Sequence, residues 1–243
     1  MLRTDTPSVH IHDVTGLILA GGASSRMRNE NHGQNVDKGL LLYHGKPLVQ
    51  HMLERLRPQV KTIAISANRH LEQYQAFNVP IWPDQKETSW ETFPGPLAGM
   101  LTGLRRCRTA WLATVPCDAP LVPLNLVKRL HEQAVAKNAK IAFASTHATE
   151  KMPQNVDTEQ KNVKDHPVFA LLHHSLADSL YSYLQKGDRK ILLWIKQHAY
   201  ERVLFDEQAP FTANINTAAD LETLSEQPLT IEKYDEHHKR THS

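Results

Sequence analysis

Short apolar runs alternate along this chain with longer stripes in which apolar residues recur every three or four positions. The runs at 16–20, 62–66, 79–82, 111–115, 141–144 and 168–172 are bounded by turn residues. Unbroken apolar character over so short a length predicts strands covered on both faces. The intervening stripes predict helices. Leu48, Val49, Met52, Leu53 and Leu56 share one helical face after Pro47; Leu97, Met100, Leu101 and Leu104 do so after Pro96; Leu124, Val127, Leu130 and Ala134 do so after Pro123. A proline at the first turn fits, because its missing N–H would lack an intrahelical partner anyway. Strands alternating with helices imply βαβ units, hence an α/β fold with a doubly wound, mostly parallel sheet and helices on both faces. Two close stripes at 176–184 and 191–195, then a strand expected at 202–205, predict a helical excursion that returns to the sheet. The polar, aperiodic stretch 149–165 reads as a loop.

In such sheets ligands gather at the carboxyl ends of the strands, so the residues delivered there matter most. The first run ends in Leu19-Ala20-Gly21-Gly22-Ala23-Ser24-Ser25-Arg26-Met27. Small residues let backbone N–H groups converge on an anion, and Arg26, Arg28 and Lys38 add positive charge. The loop could hold a triphosphate or be an ordinary strand-to-helix turn. It carries neither the P-loop spacing nor a Gly-x-Gly-x-x-Gly fingerprint. The run 111–115 leads into Pro116-Cys117-Asp118-Ala119-Pro120. Asp118 there could hold Mg²⁺, which takes one or two carboxylates plus substrate phosphates, or could orient the helix that follows. Asp84, after the run 79–82, could accept hydrogen bonds from a base or ribose, or start a turn. Gly99 and Gly103, outside the leucine stripe of their helix, cost about 1 kcal/mol each relative to alanine, which implies close approach of the sheet, a neighbouring backbone or a ligand. Cys117 reads as a small buried residue.

Composition narrows the field. The chain has 243 residues, 40% hydrophobic and 22% charged, with 28 Lys+Arg against 26 Asp+Glu. A charge so close to balance argues against general nucleic-acid binding, which rests on many phosphate contacts. No apolar run is long enough for a membrane span, and residues 1–14 have no apolar core of the secretory type. Two cysteines make no disulfide framework, and the 15 histidines follow no metal-ligand spacing. A cytoplasmic protein is expected, without membrane or nucleic-acid partners.

Taken together the motifs resemble the molybdenum cofactor guanylyltransferases, the MobA family of the nucleotidyltransferases. The residues that carry the likeness are Leu19-Ala20-Gly21-Gly22, Arg26-Met27, Asp37-Lys38-Gly39-Leu40-Leu41 and Gly45-Lys46-Pro47-Leu48. Ala67-Asn68-Arg69-His70, Pro94-Gly95-Pro96-Leu97-Ala98-Gly99-Met100, Pro116-Cys117-Asp118, His166-Pro167 and Asn214-Ile215-Asn216-Thr217 follow in order. The resemblance implies a Rossmann-like domain, here 15–227; the polar segments 1–14 and 228–243, the latter ending in charges and histidines, are expected to be flexible. It implies transfer of GMP from GTP to the terminal phosphate of Mo-molybdopterin, with pyrophosphate released. It assigns the backbone of Leu19, Ala20 and Gly21 and the side chain of Asp84 to the nucleotide, Lys38 and Arg26 to the phosphates, and Asp118 to Mg²⁺. Asn214 and Asn216 would lie near the acceptor or metal. Molybdopterin-loading proteins and apo-molybdoenzymes join the expected partners. A CTP-using relative, a sugar-phosphate acceptor, or a nucleotide-binding adaptor are the alternatives. Three departures mark this chain: a longer bridge at 29–36 before Asp37-Lys38, Ser66 where the family often has Asn, and the length of 149–165.

Overall fold

The computed structural model describes residues 13–20, 37–84, 95–147, 163–205 and Asp220. Strand β1 (Val14–Leu19) is followed by a hairpin of β2 (Leu42–Tyr43) and β3 (Lys46–Pro47), then α1 (Leu48–Leu56) and β4 (Thr62–Ser66). Helices α2 (Leu71–Gln75) and α3 (Pro96–Arg106) lead to β5 (Trp111–Pro116), and α4 (Leu126–Ala136) to β6 (Ile141–His147). After β7 (Val163–His173) come α5 (Ala177–Gln185), α6 (Ile191–Ile195) and β8 (Tyr200–Phe205). The six longer strands form one sheet in the order β4-β1-β5-β7-β6-β8. The pairs β4–β1, β1–β5 and β6–β8 are parallel, whereas β7 runs antiparallel to both β5 and β6.

Each face of the sheet is covered by its own core. On one side Val49, Met52 and Leu56 of α1 and Leu126, Val127 and Leu130 of α4 pack on Val14, Ile18, Ile65 and Val115. On the other, Leu97, Met100, Leu101 and Leu104 of α3 join Leu180 and Leu184 of α5 and Trp194 of α6 over Leu17, Leu112, Phe143 and Leu172. Adjacent residues of β1, Leu17 and Ile18, thus enter opposite cores, as the two-residue period of a strand requires. Val14 is fully buried and belongs to β1, so the domain begins one residue before the expected 15. The remainder of the flanking segments, 1–12 and 228–243, lies outside the described residues.

The structure corrects several expectations. The run 79–82 is not a full strand: Ile81 makes a single parallel bridge to Ile65, because Pro80 and Pro83 cannot donate to a ladder. The aperiodic stretch ends earlier than 165, since Val163, Lys164 and Asp165 pair with His147, Thr146 and Ser145; residues 148–162 lie outside the described set. Pro167 is accommodated by a register shift, Phe143 facing Ala170 and Ala144 facing His166, which is where a strand tolerates proline. Helix α4 starts at Leu126, two residues after the first apolar residue of its stripe. Gly99 and Gly103 are not set apart from the leucine stripe, because α3 is buried on nearly all sides from Leu97 to Leu104. A Cβ on Gly103 would lie 2.6 Å from Leu17 Cδ2 and 2.7 Å from Leu112 Cδ2, so that glycine answers to the sheet. The β2–β3 hairpin, closed by His44 and Gly45 at positive φ, and the five-residue α2 carry too little periodicity to be read in advance. Among the described residues no helix is long and apolar enough to cross a membrane.

Candidate active site

The carboxyl ends of β1, β4 and β5 lie side by side and present two groups of polar side chains. The first is built on β5. The strand ends at Pro116, and the turn that follows carries Cys117 and Asp118. Cys117 N–H donates to the Leu19 carbonyl at 3.1 Å, tying this turn to the end of β1. Lys38, at the start of the 3-10 turn Lys38–Leu40, donates to Asp118 Oδ2 at 3.3 Å. The two side chains are 15% and 14% exposed, so the pair is partly desolvated yet open to a ligand. The longer bridge before Asp37 therefore does not keep Lys38 from the Asp118 corner. Asp118 Oδ1 is buried with no hydrogen-bond partner among the described residues. Such an orphaned oxygen costs about 1–3 kcal/mol, which is the situation of a carboxylate awaiting a cation or donor. Asp118 does not cap α4, whose N-cap is Asn125.

The second group is built around Asp84. Ser66, the last residue of β4, donates from Oγ to Asp84 Oδ1 at 3.0 Å. Asn68 donates from Nδ2 to Asp84 Oδ2 at 2.8 Å, and its Oδ1 accepts from the Asp84 N–H at 2.8 Å. Both carboxylate oxygens are thereby held, and the chain after β4 is fixed to the chain after Ile81. Burial pushes the Asp84 carboxyl above its ordinary 3.8, while the hydrogen bonds from Asn68 and Ser66 pull it back. Gly99 at the start of α3 makes room for this arrangement: a Cβ there would lie 2.9 Å from Ser66 Oγ, 3.5 Å from Asp84 Oδ1 and 2.6 Å from Leu19 Cδ2. Close approach of both sheet and site explains this glycine.

Leu19 and Ala20 stand between the two groups. The Ala20 N–H donates to the Ser66 carbonyl at 2.8 Å and the Leu19 carbonyl accepts from Cys117, so these two backbone groups are engaged by neighbouring strands. Gly21, Arg26, Asn214 and Asn216 lie outside the described residues. Cys117 is buried, and burial first, then the nearby Asp118 and Asp37 carboxylates, push its thiol well above the ordinary value; it is a packed thiol, as expected. No cluster of three or more His, Cys, Asp or Glu side chains suited to a metal ion occurs among the described residues. Asp118 with its free Oδ1 instead suits Mg²⁺, a cation that takes much of its coordination from phosphates and water.

Four residues of the site were not among the expected ones: Ser66, Asn68, Asp37 and Tyr74. Asn68 stands inside the Asn-Arg-His motif and Ser66 is a polar residue at the end of a buried strand, which are signals of a kind. Nothing local marks Tyr74, whose hydroxyl donates to Asp37 Oδ1 at 2.8 Å.

The chain is similar to known proteins over most of its length. Residues 16–203 match the family model described as the MobA-like NTP transferase domain. A molybdenum cofactor guanylyltransferase from Acidovorax ebreus is 45% identical over 219 residues, covering 89% of this chain and 97% of its own. One from Bordetella pertussis is 44% identical over 213 residues, covering 88% and 97%. Among solved structures, molybdopterin-guanine dinucleotide biosynthesis protein A from Archaeoglobus fulgidus superposes with a TM-score of 0.64 at 18% identity, over 87% of this chain and 97% of that one. At that identity the likeness speaks to the fold, which agrees with the open sheet described above. With a matching domain model over residues 16–203 and relatives near 45% identity, the chain belongs to the MobA-like NTP transferase family.

Proposed function

We propose that this protein is a molybdenum cofactor guanylyltransferase, moving GMP from GTP to the terminal phosphate of Mo-molybdopterin. The observation that carries the reading is the Lys38–Asp118 pair with an unsatisfied carboxylate oxygen, standing beside the Asp84 clamp in a chain of this family. In the reaction an oxygen of the acceptor phosphate forms a bond to the α-phosphorus of GTP. The bond from that phosphorus to the bridging oxygen breaks, and pyrophosphate leaves with the electron pair. The acceptor is already an anion at neutral pH, so no side chain is needed to remove a proton.

The protein's part is then positioning and electrostatics. Lys38 supplies positive charge where negative charge builds on the phosphates, and Arg26 is assigned the same task. Asp84, with both oxygens fixed by Ser66 and Asn68, offers a preoriented acceptor for nucleotide N–H or O–H groups. Asp118 would hold Mg²⁺ through its free oxygen, and that ion, when bound, supplies charge neutralisation at the triphosphate. Lys38 and Arg26, with a cation on Asp118, would favour substrates of strong negative charge, which suits GTP and a pterin phosphate.

Titration calorimetry with GTP, ATP and CTP, each with and without Mg²⁺, tests the reading. GTP binding that Mg²⁺ strengthens, followed by pyrophosphate release on adding Mo-molybdopterin, is expected. Preference for CTP would overturn the choice of base, and no nucleotide binding would overturn the activity.

A further inference from the structure

One buried contact near the site has no part in the chemistry above. Asp37, 5% exposed, opens the turn that carries Lys38. Its Oδ1 accepts from the Gly39 N–H at 3.3 Å and from the Tyr74 hydroxyl at 2.8 Å. The turn is completed by Leu40 N–H on the Asp37 carbonyl at 3.0 Å and Leu41 N–H on the Lys38 carbonyl at 3.1 Å. Tyr74 comes from α2, joins the core that α1 forms with β1 and β4, and is wholly buried. A Cβ on Gly39 would fall 2.6 Å from the Tyr74 hydroxyl and 3.4 Å from Cys117 Cβ. Tyrosine, turn and the residue preceding Asp118 therefore meet with no space between them.

A buried carboxylate is tolerated when its oxygens accept hydrogen bonds, and losing one such bond to a charged group is felt strongly. The phenol serves as donor throughout: burial first, then Cys117 and Asp37, push it far above its ordinary value. The backbone from which Lys38 departs is thus fastened from beneath, while its ammonium faces Asp118. Tyr74 itself is not among the groups facing the substrate.

We propose that Tyr74 is a positioning residue, whose hydroxyl holds Asp37 and through it the turn that aims Lys38 at the Asp118 corner. The inference rests on Lys38 acting in the proposed transfer, and its first test uses no substrate. Hydrogen exchange on the full chain should show the Gly39, Leu40 and Leu41 amides exchanging about tenfold faster in Tyr74→Phe, with the β5 and β6 amides unchanged. Unaltered exchange at the turn would overturn the proposal, as would equal acceleration in β5 and β6, the mark of a merely structural role. Asp37→Asn keeps an acceptor for both donors and should stay near wild type, whereas Asp37→Ala should match Tyr74→Phe; equal behaviour of the two Asp37 variants would also count against it. With GTP and Mo-molybdopterin, Tyr74→Phe should lower kcat about tenfold when Lys38 is present and have no further effect on Lys38→Ala. Independent, multiplying losses would sink the coupling to Lys38. A wild-type protein that transfers no guanylyl group would count against the proposed activity, and the exchange result would still decide the positioning.

Discussion

The two polar groups at the sheet's carboxyl end are finished to different degrees. Around Asp84 every described partner is in place: two side-chain donors take the two carboxylate oxygens, and the backbone N–H closes the ring with Asn68. Around Asp118 the construction stops short, with one oxygen on Lys38 and the other buried without a partner among the described residues. A surface meant to recognise benefits from rigidity, because fixed acceptors do not have to reorganise when a nucleotide arrives. In the proposed nucleotidyl transfer, the unpaired oxygen at the Asp118 corner would be satisfied by a cation that the substrate phosphates also hold. The Lys38–Asp118 contact would be exchanged for contacts to the phosphates and a cation.

That contrast can be broken most sharply at the unfinished end. Lys38→Ala should lower turnover by roughly 10²–10³ while leaving the thermal unfolding midpoint near wild type; an unchanged rate would put Lys38 outside the chemistry. Asp118→Asn should cost roughly 10²-fold in kcat/KM and remove the strengthening of GTP binding by Mg²⁺, measured by calorimetry. If the Mg²⁺ effect survives, the orphaned oxygen is not the metal's.

At the finished end the expected effects are smaller and concern pH and packing. Gly99→Ala forces a Cβ against Leu19 and Ser66 and should destabilise by about 1–3 kcal/mol, read from denaturant unfolding. Burial already raises the Asp84 carboxyl and Ser66 lowers it, so Ser66→Ala should raise it further. The sign follows: the folded-state value lies above the unfolded one, so protonation favours the folded protein and ionisation disfavours it as pH rises through that value. A base N–H, however, binds the ionised form. GTP affinity should therefore fall as pH drops below the raised value, and in Ser66→Ala that fall should begin at higher pH. No movement of the limb would mean that Asp84 does not face the nucleotide. The smallest effect belongs to Gly39→Ala combined with Tyr74→Phe: removing the hydroxyl leaves 3.4 Å contacts, so the double variant should be no less stable than Gly39→Ala alone.

Much of the frame could be read from residue order. The apolar runs at 16–20, 62–66 and 111–115 fall within or overlap β1, β4 and β5, and the proline-led stripes fall on α1, α3 and α4, because burial on two faces leaves a local mark in the sequence. Asp118 could be singled out because motif and strand end coincide, Lys38 from its motif, and Asp84 from its place after the run 79–82. Where prolines intervene the reading failed, as at 79–82, since one missing N–H turns a strand into a single bridge. The antiparallel course of β7 also escaped, for an apolar run carries no sign of its direction.

What the sequence determined by itself was the alternation of strand and helix, the carboxyl-end placement of the polar residues, and the family to which their motifs point. Those follow from periodicity and short-range spacing, which are local properties of the chain. Only the tertiary structure decided that Ser66 and Asn68 clamp Asp84, that Tyr74 reaches Asp37, and that Asp118 keeps one oxygen unpaired. Each of these depends on a distance between residues remote in sequence. Such distances are set by how α2 and α3 seat on the sheet, and no local pattern encodes them.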